Sequence, residues 1–244
     1  MALLASASAE VAAIAKASAE AAESSLERAK TDTSVGHAFW LLTQLPLAAR
    51  SDDFAASLTS LGVNVRGRAP SLLELASSVA VALETEALSN KTRTDLGAMA
   101  RQAAVESVFS LVGQDLPKLF EPSGSEVRSA LARFGRSDQF SILAREFFSR
   151  LTRRSLEYFL SRELSNHVGS RRQFATPREH SDFSSALDLH CRQASRIIDE
   201  FASDWFGKRL RDQVPVSRAD ASAFARIAFK KMRSELKQRR AADA

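Results

Sequence analysis

Residues 183–205 read FSSALDLHCRQASRIIDEFASDW. Phe183, Leu187, Cys191, Ala194, Ile198, Phe201 and Trp205 recur at steps of three and four. Those steps keep all seven on one side of a 3.6-residue helix, whereas a half-buried strand would alternate every second residue. The stretch predicts one regular amphipathic helix from Ser181 onward, and the same period extends to either side of it.

Downstream, after Pro215, Ala225, Phe229, Met232 and Leu236 form an apolar stripe that predicts a final helix from Ser217 to Gln238. Upstream, Phe140, Ala144, Phe147, Leu151, Tyr158 and Phe159 mark a long helix from Asp138 to His167. Val168–His180 is irregular. Earlier in the chain, helices are expected at Leu3–Lys30, His37–Ala49, Ser51 to Gly62, Leu72–Leu88 behind a Ser71 cap, Thr94 or Asp95 to Val112, and Ser125–Phe134. Gly36 is read as a break, and Pro46 as a bend or division of its helix. The expected fold is therefore all-α, an irregular multi-helix bundle of about eight helices, several long.

Composition agrees. Of 244 residues only 9 are Gly and 6 Pro, so helix breakers are few, while Val, Ile and Tyr are scarce. The chain is 45% hydrophobic and 26% charged, which suits a packed globular protein. Glu121-Pro-Ser-Gly124 is the clearest interruption. It divides an acidic, Ala-rich helical half (1–122) from a basic helical half (123–244), and the two can pack as one domain. Residues 1–125 carry 10 Lys/Arg against 14 Asp/Glu, and residues 126–244 carry 24 against 15.

That asymmetry predicts an anionic partner for the second half. On the last helix Arg226, Lys230, Arg233, Lys237 and Arg240 form a basic stripe about 100° round from the apolar one. The loop before residue 181 adds Arg171, Arg172 and Arg178 near Phe174, a grouping suited to gripping phosphate or stacking on a base. Arg150, Arg153 and Arg154 carry more positive charge, although Glu146 and Glu157 stand four residues from Arg150 and Arg153 and are expected to take up part of it. Asp188, Asp199, Glu200 and Asp204 read as solvated charges.

Arg162-Glu-Leu-Ser-Asn-His167 resembles the Arg-x4–6-His motif of the HEPN superfamily. The resemblance covers six residues. It implies an all-helical domain, and in many members a metal-independent RNA endonuclease that pairs two motifs across a dimer. His167 would then be the acid/base and Arg162 would stabilise the phosphate transition state. Glu163 stands where that family more often has Asn, Asp or His.

Other chemistries lack their residues. One cysteine, Cys191, rules out an intrachain disulfide framework, and no His-x3-His or Cys-x2-Cys spacing suggests a metal site. His190 and Cys191 are adjacent and diverge on a helix. There is no phosphate-cradling Gly loop, nucleophile elbow or dinucleotide fingerprint, so no cofactor is expected. No apolar run is long enough for a bilayer, and the Ala-rich start lacks the features of a secretion signal. A cytoplasmic location and no membrane partner are expected.

The leading expectation is a non-enzymatic helical interaction or adaptor subunit, whose basic half meets an acidic protein surface or nucleic acid. The alternatives are the HEPN-like nuclease and a nonspecific nucleic-acid binder. The small-residue face of the first helix, Leu4, Ala7, Val11, Ile14, Ser18 and Ala21, would suit homo-oligomer packing. The sequence names no small-molecule ligand.

Overall fold

A computed structural model describes residues 24, 26–117, 120–167, 185, 187–189 and 191–242, and within these 159–167, 236–237 and 239–242 by their backbone alone. The chain is an all-α multi-helix bundle, with no strand among the described residues. Among the described residues, eight helices have seven residues or more: α1 Thr33–Ala49, α2 Phe54–Ser60, α3 Leu72–Ser89, α4 Asp95–Gln114, α5 Gly124–Arg133, α6 Ser137–His167, α7 Arg196–Arg211 and α8 Arg218–Ala242.

Most helix starts are written locally. Asp32, Asp53, Ser71 and Thr94 each accept a hydrogen bond from a backbone N–H in the first turn, supplying a partner that the helix itself lacks. Ser123 and Glu126 form a reciprocal capping box at α5. The Pro-Ser-Gly interruption is thus a helix start. The glycine is needed there, because a Cβ on Gly124 would collide with the Ala69 carbonyl.

Two departures from the sequence expectation have a visible structural cause. Gly36 lies inside α1, because its missing side chain lets Ser222 of α8 approach; an added Cβ would fall on Ser222 Oγ. The glycine marks a close helix crossing. The regular run through 183–205 is divided at Ser195. There the Ser195 hydroxyl donates to the Arg192 carbonyl (2.9 Å), and the Ile198 N–H reaches back only three residues, to the Ser195 carbonyl (3.0 Å). A side chain competing for local backbone groups, followed by a tightened turn, starts α7 afresh. Of the expected first helix, residues 26–29 are helical, with Leu26 and Ala29 buried; Met1–Glu23 lie outside the described residues.

Both halves contribute to one continuous core, from Leu26 to Met232. Its centre is Phe39 on α1, fully buried. Phe39 stacks on Phe224 of α8 (4.8 Å, 16°) and meets Phe147 and Phe148 of α6 (5.9 and 5.1 Å) and Trp205 of α7 (6.3 Å). Phe140 stacks on Phe206 (4.0 Å), tying α6 to α7. Burying one such ring contributes on the order of 1.5–3 kcal/mol, and these contacts hold α1, α6, α7 and α8 in fixed relation.

Candidate functional site

The basic stripe of α8 is partly free. Arg226 and Lys230 are exposed, and neither meets a carboxylate among the described residues. Arg233 turns inward instead, with Nη1 2.8 Å from Glu27. Lys231, beside the stripe, sits over the Phe201 ring at 5.5 Å. Lys237 and Arg240 continue α8 by their backbone. Arg162 and His167 lie in the last two turns of α6, likewise described by backbone alone. Arg171, Arg172 and Arg178 lie outside the described residues, as do Phe174, His180 and His190.

Much of the remaining positive charge in the second half is engaged. On α6, Arg145 pairs with Asp199 of α7 (2.8 Å), and Arg150 with Glu146 (2.7 Å) and Glu106 of α4 (3.4 Å). Arg153 pairs with Glu157 (2.9 Å) and Asp188 (3.1 Å), and Arg154 also reaches Glu106. Arg192 joins Asp188 (2.8 Å), and Arg209 joins Asp220 (2.6 Å). Asp188 and Asp199 are therefore working parts of the packing, which corrects their reading as solvated charges. Burial pushes the Asp199 carboxyl upward against the pull of Arg145, and its Oδ1 is enclosed without a partner. At Asp188 burial also acts upward, but Arg192 and Arg153 hold the carboxyl below its ordinary range.

A second feature escaped the sequence reading. A cavity of about 600 Å³ lies between α1, α3, α4 and α8. Its floor is small side chains, including Ala38, Ala87 and Ala98. Its rim carries two ion-pair groups: Glu84 with Arg101 and Arg93 (3.3 Å to the latter), and Glu86 with Arg218. The Arg218 guanidinium lies over Trp40 at 4.9 Å, and His37 stacks on the same ring at 5.3 Å. Burial, with Arg218 nearby, pushes the His37 imidazole down to about 4, so it is neutral at physiological pH. Its Nδ1 is enclosed with no hydrogen-bond partner. The one sequence signal was His37 three residues before Trp40, which places both on one helix face.

Cys191 is buried, and burial pushes its thiol up to about 12. At physiological pH it therefore stays a protonated thiol, the less reactive form. No helix among the described residues is long and apolar enough to cross a membrane. On α3, Leu73, Val81 and Leu88 are 69%, 65% and 53% exposed, and Ser77 and Thr85 share their face, which leaves an outward stripe without charge.

Comparison with protein-family models, with curated proteins and with solved structures finds no match to this chain.

Proposed function

We propose that this chain is a helical interaction subunit that binds an acidic protein surface through the outer face of α8. The observation that supports this most is the contrast in pairing: Arg226 and Lys230 are exposed and meet no carboxylate among the described residues, while Arg233 and Arg209 are bound to carboxylates. Unpaired, solvated cations attract and orient an anionic partner, and act on association rate and register more than on buried energy. An acidic protein surface fits better than a nucleic acid. Gripping a run of phosphates takes many cations, and the α6 arginines that would extend the surface are already held in ion pairs.

The test is affinity capture from cells that make the protein, comparing the wild type with the double reversal Arg226→Glu/Lys230→Glu. The proposal expects a partner that survives nuclease treatment and is lost with the reversal. A partner retained by the reversed protein, or one released by nuclease, contradicts it.

A further inference from the structure

We propose that the cavity between α1, α3, α4 and α8 is a binding site for a small organic oxyanion, a carboxylate or phosphate monoester with a compact apolar body. This site is separate from the outer face of α8 and does not depend on the interaction reading above.

Size and lining come first. A space of about 600 Å³ falls in the range of small-molecule sites, and its small-residue floor leaves room for an apolar body. Donors then outnumber acceptors at the rim. Arg93, Arg101 and Arg218 each carry five N–H groups, and their pairs with Glu84 and Glu86 use only a fraction of them. Each of the two glutamates is already held by at least one of those guanidiniums. The third acid at the rim, Asp95, accepts the hydroxyl of Tyr158 and stands in the first turn of α4. What remains to be satisfied is donor capacity, and an oxyanion satisfies it bidentately.

His37 adds to this. An enclosed, unpartnered lone pair on Nδ1 is tolerated better than an enclosed N–H, so the neutral ring carries its proton on Nε2. That gives the cavity wall a further donor, or a second charge if the ring takes up a proton. The groups facing His37 are Arg218 of α8 and Glu86 of α3, with Glu84 of α3 and Arg101, Arg93 and Asp95 of α4 and its leading loop across the space. Arg218 disfavours the imidazolium. An anion placed between the two would screen that repulsion, so binding and proton uptake by His37 are coupled.

Titration of the full chain with benzoate, phenyl phosphate and uncharged benzamide, followed through the His37 ring resonance by NMR, tests the site. His37→Gln assigns the signal. Expected are a saturable shift with at least one of the two anions, a ring midpoint raised by about one unit or more in its presence, and no matching effect of benzamide. Which anion wins separates carboxylate from phosphate. Arg93→Gln, at the exposed rim, should weaken binding about tenfold without unfolding the protein. Arg218→Gln should weaken it at least as much if that variant folds. Benzamide binding as well as the anions, no response to either anion at about 10 mM, or unchanged affinity in Arg93→Gln would each overturn the proposal.

Discussion

The arginines of α6 and the cations of α8 look alike in sequence, as helix-spaced basic residues in the same half of the chain. In the folded protein they have different fates. The long helix α6 is packed against α4 on one side and α7 on another, so Arg150 and Arg154 meet Glu106, and Arg145 meets Asp199. Helix α8 packs on α1 and α7 through Phe224, Ala225, Ala228 and Phe229, and on its outer face Arg226 and Lys230 meet no carboxylate among the described residues. Arg226 and Lys230 remain in solvent, while Arg233, one turn on, is met by Glu27 from the start of the chain. Net charge therefore does not locate a binding face. What locates it is the charge left after neighbouring helices have contributed their carboxylates.

The sharpest way to disturb this arrangement is at its shared support. Phe39 touches rings of both α6 and α8, so Phe39→Ala should cost about 3–5 kcal/mol in chemical denaturation and loosen both helices together. A cost below about 1 kcal/mol would mean that the aromatic cluster is not the common anchor.

Removing the acid that serves two α6 arginines comes next. Glu106→Ala should destabilise by on the order of 1 kcal/mol, a modest figure because all three side chains remain partly solvated. No change in the denaturation midpoint would place these arginines in the same class as Arg226.

A separate effect concerns pH. Folded His37 titrates at about 4 against an ordinary 6.5, so between those values the unfolded chain binds a proton that the folded chain does not. Its contribution to stability is therefore complete above about 6.5 and declines as pH falls toward 4. The decline should be shallower in His37→Gln, measured as the difference between the two melting curves across that window. Identical pH dependence in the two proteins would contradict a buried neutral imidazole.

How much of this was legible in advance follows from the range of the forces involved. Helix starts at Ser71 and Thr94 depend on bonds within one turn, and short-range signals such as Ser-x-x-Glu carry them. The i, i+4 partners of Arg150 and Arg153 were legible for the same reason. Gly36 was misread because the feature that explains it, Ser222, lies far along the chain. Ser195 was missed because the apolar period runs through it unbroken while its hydroxyl bonds to the backbone. The His37 cavity needs four helices to exist at all, so neither periodicity nor motif spacing announces it. Of the basic stripe, the positions were legible and the pairing was not, since Glu27 reaches Arg233 only through the fold.

The decisive measurement compares two variants in one experiment: partner capture alongside thermal melting for Arg226→Glu/Lys230→Glu and for Glu106→Ala. The account predicts that the α8 reversal loses the partner and melts as the wild type does, and that Glu106→Ala keeps the partner and melts lower. An α8 reversal that retains its partner, or a Glu106→Ala protein that loses it while still folded, would contradict the assignment of the binding face to α8.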